Sequence, residues 1–337
     1  MSTHFAGCCP FADGVVRCRK TLAEVPWHCQ SRRMPARRRR LPTELIGRAF
    51  TRAVALDCKV TPNMLRGPSV QRLVPGVYVD ASVEPTLVKT LAAWLTLLPP
   101  DTLVDGVTAL RYWGIEVGEA APYRYVTTAA HQSKRAEVRV RRVERLPERR
   151  GSVVAPVAAL VTAKVELNLL DLVIAGDWMI QAKLATYEQV RNGLAAATGR
   201  NCRRARRAGE LVRKGAESPR ETRLRLAIVL AGLPEPECNV NLGDEWFFIG
   251  RVDLYLRAWN IAVEYEGDHH RTDAKTYGGD LLRFEELNAS GVLAIRVSKE
   301  HLRRPRDVVR RVHAALVSRG YEGPAPVFGA EWRAMFE

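Results

Sequence analysis

From Trp246 to Leu256 the chain is rich in aromatic and β-branched residues, and from Ile261 four apolar residues run into Glu264-Tyr265-Glu266. The first pattern predicts a strand, and the second a buried strand whose acids emerge at its end. The short Arg257 to Asn260 link permits an antiparallel hairpin between them. Upstream, Ser218-Pro219-Arg220-Glu221 reads as a capping box with proline at the first helical position, Ser218 and Glu221 satisfying orphan backbone donors reciprocally. The apolar helix it opens continues through Leu224 to Leu230 and stops at Gly232 and Pro234. Downstream, the periodicity predicts a helix over Asp280 to Ala289, a strand over Val292 to Val297, and a helix near Asp307 to Ser318 closed by Gly320. Residues 321–337 read as a tail.

Nearer the N-terminus, Phe50 to Leu56 opens a helix, Thr61 to Leu65 starts another, and Gln71 to Val79 reads as a hairpin. Lys134 to Arg150 alternates basic and apolar residues, Val138, Val140 and Val143 among them, as a strand with one charged face would. The most apolar stretch, Val153 to Ile180, is interrupted by Lys164, Glu166, Asp171 and Asp177, so it reads as a helical connector and not as a bilayer span. Residues 1–40 have no apolar secretion segment and no helical periodicity, which predicts disorder or a spurious extension ahead of a start at Met34.

A chain of 337 residues with 47% hydrophobic content has room for about two or three ordinary globular domains. The expected boundaries are 41–120 for a helical region with a hairpin, 121–215 for a basic strand and helical connector, and 216–320 for an α/β domain. The net charge of +15, from 52 basic and 37 acidic residues, favours a phosphate-bearing partner without specifying one. Two patches concentrate it, residues 134–150 and residues 199–214, the latter with Arg203, Arg204, Arg206 and Arg207. Each also reads as an ordinary solvated surface. The seven cysteines are odd in number and scattered, which fits a reduced, cytoplasmic setting. Cys8, Cys9, Cys18 and Cys29, with His4 and His28, lack the paired C-x₂-C spacing of a zinc site.

The chemistry lies on the predicted hairpin. Strand side chains alternate faces, so Glu264 and Glu266 point the same way, roughly 6 to 7 Å apart, and Asp253 meets them from the neighbouring strand. Carboxylates forced together repel and lose hydration unless a cation compensates. Mg²⁺ or Mn²⁺ would do so while leaving room for a phosphate and an attacking water. The alternative is a solvated strand end paired with arginines.

The stretch from Ser218 to Leu302 resembles the very-short-patch-repair-like branch of the PD-(D/E)XK endonucleases. The likeness is carried by Ser218 to Glu221, Gly232 to Pro236, Val252-Asp253, Glu264 to His270, Asp280 to Arg283 and Gly291 to Val297. It implies a restriction-endonuclease-like α/β core, with Asp253 as bridging metal ligand, Glu264 as second acid, His270 as acid, base or phosphate contact, and Glu221 as a helix glutamate near the metals. His269 and His270 also read as solvated loop residues, and Asp280 and Arg283 as a surface pair. Arg283 and Arg296 are the phosphate candidates, because the guanidinium fork binds phosphate oxygens bidentately. The superfamily's signature lysine is here Glu266, which cannot serve as a cationic stabiliser but can bind metal or orient water. Residues 45–80 are similar to the winged helix-turn-helix of abortive-infection type IV antitoxins, with a weaker extension through Leu103 to Gly114.

These readings combine into an expectation: a metal-dependent DNA endonuclease hydrolysing phosphodiesters, in repair or phage defence, acting on duplex DNA and not at a membrane. The runner-up is a non-catalytic, antitoxin-like regulator that grips DNA on a degenerate nuclease fold, and the third is an RNA-acting toxin nuclease.

Overall fold

The computed structural model describes residues 41–130, 133–243, 248–266, 286–287 and 289–337. The expectations placed on residues 1–40, on Trp246, on His269 and His270, and on Asp280 and Arg283 lie outside these. The chain is mixed α/β and divides into two compact units between Ala163 and Lys164.

The first unit opens with a small antiparallel sheet. Its strands are β1 (Phe50–Thr51), β2 (Val70–Val74) and β3 (Val77–Asp80), in the order β1-β3-β2. The helix expected to open at Phe50 starts two residues later, as α1 (Arg52–Asp57). Phe50 instead pairs across the sheet with Tyr78, and Thr51 caps the helix by accepting from the Val54 N–H. Thr61 caps α2 (Pro62–Leu65) in the same way, with proline at its first turn. β2 and β3 form a hairpin across Pro75-Gly76, where Gly76 takes φ +94°, a conformation open to glycine. Leu41, Leu45, Phe50, Ala55, Val60, Leu65 and Val70 form the core beneath it.

After α3 (Leu87–Leu95) comes a five-stranded sheet of order β6-β5-β4-β8-β7. It comprises β4 (Leu103–Val104), β5 (Tyr123–Thr127), β6 (Val138–Arg142), β7 (Arg149–Arg150) and β8 (Val153–Val154), with helices α4 (Gly106–Tyr112) and α5 (Pro156–Ala163). The basic stretch expected as one strand therefore becomes two, β6 and β7, at opposite edges of the sheet. In β6, Val138 is buried while Arg139, Arg141 and Arg142 are exposed. Arg141 pairs with buried Asp105 at 2.8 Å, and the Thr162 hydroxyl donates to the other oxygen of that carboxylate at 2.7 Å.

The second unit begins with four helices: α6 (Leu169–Gln181), α7 (Tyr187–Ala195), α8 (Cys202–Leu211) and α9 (Pro219–Val229). Residues 164–215, expected as connector, thus pack within the same unit as the acidic strands. The reason is a buried charge. The Arg225 guanidinium on α9 donates to Asp177 on α6 at 2.9 Å and to the Leu211 carbonyl at 2.9 Å, the two charged side chains being 0% and 1% exposed. Asp177 also accepts from the Thr222 hydroxyl and the Arg213 N–H. Gly176 lets Val212 approach, since a Cβ there would lie 2.6 Å from its methyl carbon.

The four-stranded sheet follows, in the order β12-β11-β10-β9, from β9 (Glu237–Gly243), β10 (Phe248–Leu256), β11 (Ile261–Glu266) and β12 (Leu293–Ser298). β10 is antiparallel to both β9 and β11, and β12 is parallel to β11. Asn260, at φ +52°, ends the short turn that joins the β10–β11 hairpin. α10 (Lys299–Leu302) and α11 (Pro305–Ser318) come next, with Gly320 at φ +83° beyond the last turn.

The expected tail is packed structure. In α12 (Ala330–Phe336) Trp332 is 1% exposed, and its indole donates to the Ala227 carbonyl on α9 at 2.9 Å. Phe328 and Phe336 lie against it, and the Arg306 guanidinium sits 5.1 Å from the Phe328 ring centre. Trp332 and Phe336, four residues apart, share one side of α12, and Phe328 meets Trp332 from just before the helix.

Removing one member of a buried ion pair strands the other, at a cost of about 3–5 kcal/mol. Asp177→Ala is expected to lower the stability of the second unit by that amount in urea denaturation, with Arg225→Met recovering part of the loss in the same background. A fragment of residues 164–337 should unfold cooperatively and one of 216–337, which lacks Asp177, should not.

Candidate active site

The site is built on a single row across the second unit's sheet. On β11 and β12 the register pairs Glu264 with Arg296, so their side chains share a face. The β10–β11 ladder ends at Leu254 with Val263, which leaves Asp253 across from Glu264 one step on. There the Asp253 carboxylate replaces a ladder carbonyl as acceptor for the Tyr265 N–H, at 2.7 Å. On the other side, β10 pairs Val252 with Val240 and Leu254 with Cys238, which puts Asn239 level with Asp253. The row therefore reads Asn239, Asp253, Glu264, Arg296 over four neighbouring strands. Apolar residues just before it, Ile261, Ala262 and Val263, are buried, and Glu264 is only partly so. The acids stand where the strand leaves the core.

Glu221 reaches this row from the first turn of α9. Only half of the expected capping box forms. The Ser218 hydroxyl accepts from the Glu221 N–H at 3.2 Å, but the Glu221 carboxylate accepts from the N–H of Glu217, one residue before the cap, at 2.8 Å. The same oxygen accepts from the Asn239 side-chain amide at 2.6 Å, so the glutamate is turned toward the sheet. Its burial raises the Glu221 pKa above the ordinary glutamate value, against the donors from Glu217, Ser218 and Asn239, and the negative charge of Asp253 pushes the same way.

Asn239 is the residue the sequence reading missed. It stands at φ +51°, and its amide also donates to the Gly215 carbonyl at 2.6 Å. The only signal was an asparagine inside a strand pattern, where it is a poor strand former yet tolerates left-handed backbone. Around the row, Arg251 pairs with Glu217 at 2.6 Å, Gln181 donates to the same Glu217 oxygen, and the Arg220 guanidinium lies 5.0 Å from the Tyr265 ring centre.

Glu266 is exposed at the end of β11, on the same face as Glu264, and its carboxylate meets the Arg296 guanidinium at 3.3 Å. The structure thus sets Asp253, Glu264 and Arg296 in one row across neighbouring strands, pairs Glu266 with Arg296, and bonds Glu221 to Asn239 of that row. His270 and Arg283 lie outside the described residues. The four arginines expected to hold nucleic acid are on α8. There Arg204 donates to the Leu167 carbonyl at 2.9 Å, Arg206 to the Ala197 carbonyl at 3.1 Å, and Arg207 makes a two-pronged contact with Glu331 at 2.9 Å per bond. Arg203 is exposed.

Asp253 and Glu264 offer hard oxygen donors of the kind Mg²⁺ accepts, an ion that uses one or two carboxylates and keeps several waters. Among the described residues no group of three or more His, Cys, Asp or Glu gathers to hold a metal ion. Among them, too, no helix is long and apolar enough to cross a membrane. Comparison with protein-family models, curated proteins and solved structures returned no match to the chain.

The raised pKa of Glu221 has a measurable sign. A carboxyl whose folded pKa exceeds its unfolded value of about 4.3 contributes stability fully below that pH and loses it as the pH climbs through the folded value. Glu221→Gln keeps the acceptor and cannot ionise. Its melting temperature is expected to gain on wild type as the pH rises above about 4.3 and to level off once the pH passes the folded pKa; a difference independent of pH would show that Glu221 titrates normally.

Proposed function

We propose that the protein is a divalent-metal-dependent nuclease that hydrolyses phosphodiester bonds in duplex DNA. The observation that carries this reading is the facing pair Asp253 and Glu264 at the edge of the core, with buried Glu221 bonded to Asn239 of the same row. Burial first, and the Asp253 charge after it, raise the Glu221 pKa, and a divalent cation is the chemistry that makes carboxylates placed this way useful. A bound Mg²⁺ or Mn²⁺ would lower the pKa of a coordinated water and offset charge on the phosphate. Asp253 and Glu264 would hold it. Glu221, which burial inclines toward holding a proton, is suited to exchange one with the attacking water.

The same reading assigns the helix-then-four-strand arrangement of α9 and β9 to β12 to a restriction-endonuclease-like core of the very-short-patch-repair type. In the first unit the order β1, α1, α2, β2, β3, with its antiparallel hairpin, supports a winged helix-turn-helix like that of the antitoxins, the hairpin serving as wing. The exposed Arg139 and Arg142 on edge strand β6 add positive charge suited to a phosphate backbone. The α8 arginines carry less of the argument than their number suggests, because Arg204, Arg206 and Arg207 are engaged within the protein. A second reading, a DNA-binding regulator on a degenerate nuclease fold, draws on the Glu266–Arg296 pair, since a carboxylate occupies the place where the superfamily carries lysine.

Purified protein with Mg²⁺ or Mn²⁺, given duplex DNA, mismatched DNA and RNA with EDTA controls, separates these readings. Cleavage of DNA that EDTA stops is expected, with Asp253→Ala and Glu264→Ala each abolishing it while leaving the fold and DNA affinity nearly unchanged. Tight DNA binding with no cleavage under either metal supports the regulator, and wild-type cleavage by either variant refutes the site.

A further inference from the structure

Resting on that nuclease reading, we propose that Arg296 is a catalytic residue that places positive charge on the reacting phosphate, and that Glu266 is the positioning residue that aims it. The register puts Arg296 directly beside Glu264 on the parallel strand, so a guanidinium completes the row that Asp253 and Glu264 begin. Glu266, two residues beyond Glu264 on the same face, meets that guanidinium at 3.3 Å. The two side chains are 37% and 49% exposed, and a pair so solvated contributes at most about 1 kcal/mol to stability. Stability alone is a weak reason for the pair. The strand is braced at this residue as well, since Arg311 on α11 donates to the Arg296 carbonyl at 3.1 Å.

The chemistry needs such a cation. In the hydrolysis a water oxygen forms a bond to phosphorus while the bond to the leaving sugar oxygen breaks. One water proton passes to a site carboxylate or to solvent, and the leaving oxygen takes one from solvent, so a diester and a water become a monoester and an alcohol. Negative charge grows on the phosphoryl oxygens as this happens, against the charges of Asp253, Glu264 and Glu266. A guanidinium presents its donors in a planar fork that matches phosphate oxygens, and it stays protonated throughout. Holding it in place before the phosphate arrives makes it more effective, because nothing has to reorganise during the reaction.

The test is single-turnover cleavage of duplex DNA by the full chain with Mn²⁺ at saturating enzyme, alongside DNA affinity measured in EDTA and thermal melting. Arg296→Gln is expected to slow cleavage about 10²- to 10³-fold, the usual loss when one transition-state donor is removed. Its affinity and melting temperature should stay near wild type. Glu266→Gln should lose less, and Glu266→Lys placed in the Arg296→Gln background should restore much of the rate by returning a cation to the same face. A loss in Arg296→Gln that disappears once the DNA is saturated would make the residue a ground-state binder only and overturn the proposal, as would equal rates for wild type and variant. If wild type itself cleaves nothing with either metal, the nuclease reading fails and takes this inference with it.

Discussion

The second unit depends on a charge that has no water. Arg225 and Asp177 are buried together in the middle of a helical layer, and an ion removed from solvent is tolerable only when its partner and further hydrogen bonds stand ready. Those requirements fix geometry more tightly than apolar contacts do, because a hydrogen bond tolerates little rotation while a leucine packs adequately in several orientations. α9 is therefore pinned in its rotation about its own axis and in its position relative to α6. Glu221 lies one turn before Arg225 on that helix, so the anchor that holds Arg225 also decides where Glu221 points. An acid that must meet Asp253 and Asn239 is set by a pair that touches neither.

The site then shows a graded charge. At one end of the row, Glu221 is buried and pushed toward its neutral form; at the other, Glu266 and Arg296 are half in water and charged against each other. Asp253 and Glu264 lie between, where the sheet surface leaves the core. Such a gradient, from a carboxyl that burial inclines toward its neutral form to a solvated ion pair, is costly to maintain for packing alone.

What the sequence made legible was local. The β10–β11 hairpin, the proline and serine that start α9, and the glycine that follows α11 are all written within a few residues of where they act. The acids were legible for the same reason, since strand alternation alone places Glu264 and Glu266 on one face. The partners were not. Arg204 and Arg206 looked like a cationic surface because a sequence does not distinguish a solvated guanidinium from one that satisfies carbonyls at the ends of helices, one of them 37 residues away. Asp177 read as an interruption of an apolar run, and its meaning lies 48 residues further on. Asn239 needed both the sheet register and a left-handed backbone to be seen. The half-formed capping box is of the same kind, because Glu221 was drawn from the local donor at Ser218 by a sheet residue and the N–H of Glu217.

Trp332 puts an order on the making of the protein. Its indole closes the underside of α9 by donating to the Ala227 carbonyl, 105 positions earlier in the chain. A polypeptide that emerges from the ribosome N-terminus first presents α9 and all four strands of the sheet before that indole exists, so the second unit completes its packing only after synthesis has passed α12.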